Sequence, residues 1–125
     1  MLEQELNEFG RRMGLPALTF NSDGLAALDV ERMGRLHLEK NGKPGTEELL
    51  IYLALPCPAH DREVSERALA LCHYRHPRSF PLSAGVHGEQ LIMLTRLPER
   101  EATAANMEKA VLFLADAVSK AAREV

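Results

Sequence analysis

Cysteine and histidine are the residue types in this sequence best suited to metal chemistry, and five of them lie within 20 positions. They are Cys57, His60, Cys72, His73 and His76. Thiolate and imidazole groups are the usual ligands of tetrahedral zinc, and the C-x-x-H spacing of the first two resembles half of a small zinc site. A zinc-dependent enzyme built on Cys57, His60, Cys72 and His76 is therefore one hypothesis.

The local sequence around Cys72 argues against that hypothesis. Cys72 falls on the apolar stripe of a helix predicted at 61–74, where a free cysteine commonly behaves as a small buried hydrophobic residue, and His73 points to a diverging face. Two cysteines are also too few for a disulfide framework, which favours a reducing compartment. We therefore predict no metal and no cofactor.

Motifs for nucleophilic or phosphate chemistry are missing from the sequence. The serines at 22, 65, 79, 83 and 119 lack a G-x-S-x-G context, and no G-x-x-x-x-G-K pattern occurs. The G-V-H-G-E string at 85–89 is explained by a short turn between two strands. We predict that the protein has no catalytic residues and is not an enzyme.

Charge and hydropathy exclude further classes of protein. The formal net charge of −3 comes from 15 basic and 18 acidic residues that are interspersed, so no stripe for nucleic acid is predicted. The longest apolar run, at 49–55, is far shorter than the roughly 20 residues of a membrane-spanning helix, so no membrane insertion is expected. No signal-peptide pattern occurs, and we expect a cytoplasmic protein with a single domain over residues 1–125.

Apolar residues at helical spacing predict three helices. The first, at 2–13, should end at Gly14 with Pro16 beyond it, because glycine suits a left-handed cap and proline cannot continue a helix. The second is predicted at about 61–74 and the third at about 102–123, with Glu101 and Thr103 near its start. The core-facing stripes of the first and third helices are Leu2, Leu6, Phe9 and Met13, and Met107, Val111, Leu114, Val118 and Ala121.

Alternating apolar residues predict strands between these helices. The alternating pairs are Leu18 and Phe20, Leu28 and Val30, and Leu36 and Leu38, of which the first pair is either a strand or an extended connector. The run at 49–55 lacks clean alternation, which predicts burial on both faces, as in a central or interface strand. Two more strands are predicted at 81–86 and 90–97. The order α-β-β-β(-β)-α-β-β-α is an α+β fold, an antiparallel twisted sheet packed with three helices.

Short motifs along most of the chain resemble a known family. They are G-L-P at 14–16, G-R-L-H-L-E at 34–39, P-L-S-A-G-V-H-G-E at 81–89 and L-P-E-R at 97–100. The sequence is similar to class I chaperones of type III secretion systems, and most similar to the SycN-like members that serve the secretion gatekeeper. Tyr52 is a departure, because it stands where that group carries a tryptophan.

The resemblance implies a dimeric chaperone of secretion-chaperone-like fold. Such a chaperone binds the N-terminal non-globular segment of a secreted effector or gatekeeper protein and keeps it soluble and competent for secretion without ATP. The resemblance leaves open a homodimer or a heterodimer with a second chaperone subunit. A small α+β ligand-binding or regulatory domain that acts alone is the alternative function, ahead of the zinc-dependent enzyme.

Two sets of apolar residues are predicted to contact partners, with ordinary core packing as the alternative for each. The set predicted to bind the client consists of Leu6, Phe9, Leu18, Phe20, Leu36 and Leu38. The set predicted to form the dimer contact consists of Leu49, Ile51, Leu53, Leu69, Leu91 and Met93.

Overall fold

The computed structural model describes residues 2–15, 18–30, 34–43, 46–56, 66, 81–87 and 90–122. Its elements in chain order are helix α1 (Leu2–Arg12), strands β1 (Leu25–Val30), β2 (Gly34–Asn41), β3 (Glu48–Pro56), β4 (Ser83–His87) and β5 (Gln90–Pro98), a 3₁₀ turn (Glu99–Glu101) and helix α2 (Ala104–Ala122). The α+β class and the antiparallel sheet are confirmed. The helix predicted at 61–74 lies outside the described residues except for Glu66.

The five strands form one sheet in the order β1-β2-β3-β5-β4, and every neighbouring pair is antiparallel. Strand β3 is the middle strand of this sheet, which is one of the two alternatives given above for its apolar run. The last strand of the chain, β5, lies between β3 and β4, so β3 and β4 run parallel to each other on either side of it. Residues 18–20 are an extended connector and not a strand.

Local sequence explains where α1 ends and where α2 begins. Helix α1 is followed by Gly14 at φ 82°, the left-handed conformation that glycine adopts without strain. Helix α2 begins after Thr103, whose hydroxyl accepts a hydrogen bond from the Asn106 amide at 3.1 Å. Thr103, one of the two residues that the sequence placed near the start of this helix, is therefore its N-cap.

Both helices cover one face of the sheet, which we call the inner face. The core between them contains the stripes of α1 and α2 together with alternate side chains of the strands. Its largest side chains with no more than 1% exposure are Leu6, Phe9, Leu36, Leu38, Leu49, Ile51, Leu53, Leu91, Met93, Met107 and Leu114. Thr95 is also fully buried in β5, and its hydroxyl has no hydrogen-bond partner among the described residues.

The prediction that the run at 49–55 is buried on both faces is wrong. Leu49, Ile51 and Leu53 are fully buried on the inner face, whereas Leu50 and Tyr52, which alternate with them, are only half-buried. Strand β3 therefore alternates in burial although it does not alternate in residue type. The reason is that apolar side chains occupy both faces while the described helices cover only one.

Candidate functional site

No described helix covers the face of the sheet that points away from α1 and α2, and we call it the outer face. Its centre is defined by three rows that cross β2, β3 and β5, given by the strand register. The rows are Arg35, Ala54 and Ile92; His37, Tyr52 and Leu94; and Glu39, Leu50 and Arg96. All of these side chains are half-buried except the exposed Arg35 and Arg96.

Two stacked rings occupy the middle row of the outer face. The imidazole of His37 and the phenol of Tyr52 lie with their centroids 4.8 Å apart and their planes within 4°. Burial, and then the positive charge of Arg35, lower the pKa of His37 from its usual 6.5. Burial, and then the negative charge of Glu39, raise the pKa of Tyr52. Both rings are therefore favoured in their neutral forms, and the His37 Nδ1 has no hydrogen-bond partner in the described part of the chain.

Charged side chains flank the apolar centre of the outer face. Glu39 lies on the β2 side of Leu50, and Arg96 lies on its β5 side. Arg96 is 3.9 Å from the carboxylate of the half-buried Glu48 on the same face, and this partly exposed ion pair adds little to stability. The outer face therefore combines an apolar strip with charges of opposite sign at its two sides.

A second candidate surface is the free edge of the sheet at β1. No described strand pairs with the outer side of β1. The Lys40 amide donates a hydrogen bond to the Gly24 carbonyl at 2.9 Å. This bond shows which residue pairs of the β1–β2 ladder are hydrogen-bonded and which are not. Because bonded and non-bonded pairs alternate in an antiparallel ladder, the Ala27 amide faces away from β2. An edge of this kind can accept a further strand.

Aromatic and charged side chains lie beside that edge. The Lys40 ammonium lies 4.9 Å from the centre of the Phe20 ring and also binds the Glu3 carboxylate. This hydrogen bond to Lys40 is the main reason that the pKa of Glu3 is lowered. Phe20 itself is half-buried against the core. The cluster therefore ties α1, the connector and β2 together while leaving part of an aromatic ring accessible.

A cavity of about 610 Å³ lies where the start of α1 meets the β2–β3 turn and the start of α2. Its lining is acidic and includes Glu5, Glu47, Glu48 and Glu99. The Glu5 carboxylate accepts a hydrogen bond from the Ala104 amide at 2.8 Å, so it stabilises the first turn of α2. The described residues contain no group of three or more side chains that could hold a metal ion. The capping contact with α2 gives Glu5 a structural role in this cavity.

Most residues of the predicted client-binding set lie in the core. Leu6, Phe9, Leu36 and Leu38 are fully buried and Leu18 is 7% exposed, so within the single chain their side chains do not reach a surface. Phe20 is the member that remains partly accessible. The assignment of these residues to client binding stays a prediction, and Phe20 is the residue among them that a partner could contact without opening the core.

Most residues of the predicted dimer-contact set also lie in the core. Leu49, Ile51, Leu53, Leu91 and Met93 are at most 1% exposed on the inner face, and Leu69 lies outside the described residues. A second chain could not reach these five side chains unless the core opened. The prediction of a partner contact through β3 and β5 stays untested, and the accessible side chains of these strands are the alternate ones on the outer face.

Sequence reasoning missed the accessible apolar residues Leu50, Tyr52, Ile92 and Leu94. The sequence does indicate that both faces of these strands are apolar. Both strands carry apolar residues at consecutive positions, whereas a strand with one solvent-exposed face would alternate apolar and polar residues. The predicted dimer-contact set names the alternate residues Leu49, Ile51 and Leu53 on the inner face, and whether either face contacts a partner stays untested. The zinc candidates Cys57, His60, Cys72, His73 and His76 all lie outside the described residues.

A family model for the type III secretory system chaperone SycN matches residues 1–123. The chain belongs to this family. No curated protein is similar enough in sequence to count as a relative. The match covers nearly the whole chain and includes every helix and strand that the structure describes, and the chain is a type III secretion chaperone.

Solved structures show the same fold at low sequence identity. The Yersinia pestis type III secretion chaperone SycH, in complex with a stable fragment of YscM2, has a TM-score of 0.71 at 15% identity, covering 96% of this chain and 99% of that one. The ExsC–ExsE complex gives 0.70 at 18%, covering 94% and 87%. The HopA1–SchA chaperone–effector complex gives 0.67 at 16%, covering 92% and 88%. No helix within the described ranges is long and apolar enough to cross a membrane.

Proposed function

We propose that this secretion chaperone binds the non-globular N-terminal segment of a secreted effector or gatekeeper protein in the cytoplasm. It keeps that segment soluble and competent for secretion, uses no ATP or cofactor, catalyses no reaction and acts as half of a dimer. The observation that carries this proposal is the family match over residues 1–123. Structures of the same fold that contain a chaperone with a bound partner protein support it.

The free edge of β1 is the part of the described surface best suited to an extended client. A client strand beside β1 would use backbone donors and acceptors, such as the Ala27 amide, that the sheet leaves unpaired. Leu28 and Val30 on the same strand are half-buried and pack against the core. Apolar side chains of an added strand would cover them and extend the core outward. This mode of binding requires an extended segment and not a folded domain.

A proline at position 27 tests the edge directly. Ala27→Pro removes an amide that makes no bond to β2, so β1 should keep its pairing while client capture falls by at least tenfold. Ala27→Val is the matched control, because it adds comparable bulk at an exposed position and keeps the amide. The assay is co-expression with the neighbouring secretion proteins followed by a pull-down, with circular dichroism of each variant.

Equal capture of client by Ala27→Pro and Ala27→Val would show that the client does not bind at the edge of β1. Failure of the unaltered protein to retain any secreted polypeptide would contradict the chaperone function itself.

A further inference from the structure

Asn41 is the asparagine of this chain whose sequence context favours a spontaneous reaction. It is followed by Gly42, whereas the other three asparagines precede glutamate, serine and methionine. The next backbone nitrogen can attack an asparagine side chain, and glycine, which has no Cβ, hinders that approach least. Asparagine is also among the residues that thermostable proteins tend to avoid. The Asn-Gly pair at 41–42 is therefore a candidate modification site.

The turn after β2 requires glycine next to Asn41 for a structural reason. Gly42 has φ 102°, in the left-handed region, and a Cβ placed on it would lie 2.7 Å from the Thr46 carbonyl oxygen. Any other residue would be strained at this position. The fold therefore keeps beside Asn41 the residue type that leaves its side chain most open to backbone attack.

Both reacting groups lie at an exposed end of the β2–β3 ladder. Asn41 is the last residue of β2, and both it and Gly42 are exposed. The Asn41 Nδ2 donates a hydrogen bond of 3.2 Å to the Glu48 carboxylate on β3. No described residue accepts a hydrogen bond from the Gly42 amide. Within this part of the chain, the carboxamide is held by one long contact and the attacking nitrogen is not engaged.

The other asparagines are held more firmly and provide comparisons within the same chain. The Asn21 side-chain oxygen accepts hydrogen bonds from the Asp23 and Leu25 amides at 2.8 and 3.0 Å, which fixes its carboxamide in the turn before β1. Asn7 and Asn106 lie inside α1 and α2, where helical hydrogen bonds hold the backbone. Fast reaction is therefore expected at Asn41 and not at the other three.

We propose that Asn41 deamidates spontaneously, with the Gly42 nitrogen as nucleophile and water as co-reactant, and that the product loosens the β2–β3 turn. The Gly42 nitrogen loses its proton and bonds to the Asn41 Cγ. The Cγ–Nδ2 bond breaks, and ammonia leaves with that proton, which gives a cyclic imide. Water then opens the ring: attack at Cγ gives aspartate, and attack at the backbone carbonyl carbon gives isoaspartate, in which the chain continues through Cγ.

The product places two carboxylates on the last pair of the β2–β3 ladder. Asn41 and Glu48 are register partners, so their hydrogen bond is replaced by repulsion between like charges. The Arg96 guanidinium, 3.9 Å from Glu48, offsets part of that repulsion. Isoaspartate also adds one carbon to the backbone of β2, which the ladder can accommodate only as a bulge. Deamidation therefore acts as a timer that lowers the stability of aged chains.

Timed incubation of the purified chain at mildly alkaline pH tests the reaction. Ion-exchange chromatography should show an acidic species that grows with time. Peptide mass spectrometry should place the change at Asn41, at a rate at least about tenfold that at Asn21, which corresponds to a barrier lower by about 1.4 kcal/mol. Asn41→Gln keeps an amide but needs a larger ring for the same attack, so it should not form this species. Equal rates at Asn41 and Asn21, or an acidic species that persists in Asn41→Gln, would overturn the assignment.

A synthetic peptide of residues 37–46 shows whether the fold permits the reaction. The peptide and the folded chain should both deamidate in the same buffer. A folded chain that stays unchanged while the peptide reacts would mean that the ladder protects Asn41, and the proposal would be wrong.

Asn41→Asp tests the effect on the turn, because it reproduces one product. Its urea midpoint at neutral pH should be lower than that of Asn41→Gln, and the difference should shrink in acid, where the carboxylates at 41 and 48 are protonated. Equal midpoints at neutral pH would overturn the loosening of the turn.

Discussion

Replacing Leu36 by alanine tests whether this residue stabilises the core or contacts the client. Leu36 is fully buried on the inner face, between Leu28 of β1 and Leu53 of β3. The exchange removes about three carbon groups at about 0.8 kcal/mol each, and a cavity that relaxes only in part adds to this. We expect a loss of about 3 kcal/mol in the free energy of unfolding, out of a total of about 5–15 kcal/mol for a domain of this kind.

Leu50→Ala is the matched control for Leu36→Ala. Leu50 lies on the next strand, but its side chain points to the outer face and is half-buried. In a monomer this exchange should cost about 1 kcal/mol or less, since the side chain is already partly hydrated. Urea unfolding of both variants, followed by circular dichroism, gives the two free energies, and a client pull-down under native conditions gives the effect on binding. Unchanged stability with lost binding for Leu36→Ala would refute its placement in the core.

Three further predictions concern backbone, capping and pH. Gly42→Ala should cost more than 1 kcal/mol in a thermal melt, because φ is 102° and the added Cβ would lie 2.7 Å from the Thr46 carbonyl oxygen, whereas Gly85→Ala, in open space, should be close to neutral. Thr103→Ala should cost about 1 kcal/mol through loss of the N-cap, and Thr103→Ser should recover most of it in the same assay. The pKa of His37 is lower in the folded chain than in the unfolded chain, so the unfolded chain takes up the proton first as the pH falls. The free energy of unfolding is therefore greatest above pH 6.5, the usual pKa of histidine, and decreases as the pH drops below it. Urea midpoints measured across this pH range should fall less steeply for His37→Phe than for the unaltered chain.

The inner face was predictable from sequence because its residues repeat at the periods of helices and strands. Leu6 and Phe9 follow a helical stripe and Leu36 and Leu38 alternate with polar residues, and all four are fully buried. Their assignment to a client surface did not follow from the pattern. Periodicity identifies which side chains share a face, but it does not show whether that face is covered by the same chain or by a partner.

The outer face could not be assigned in the same way because β3 and β5 carry apolar residues on both sides. Leu49 and Leu50 are equally apolar, and only the register with β2 and β5 shows that the first points toward the helices and the second away from them. A shift of one residue would exchange their roles. The strand order could not be predicted for a related reason, because no feature of the β5 sequence shows that this strand lies between β3 and β4.

The position of β5 in the sheet has a consequence for how the chain folds. Strands β1, β2 and β3 pair with their sequence neighbours, so this meander can form as soon as residue 56 has been synthesised. It cannot close its core, because Leu91 and Met93 of β5 complete the inner face. The pairing of Glu48 with Pro98 joins residues 50 positions apart, and such distant contacts raise the contact order and slow folding. The nascent chain therefore exposes the β3 edge until β5 emerges from the ribosome, and truncation before Gln90, which removes β5, should leave an aggregation-prone meander and not a smaller folded domain.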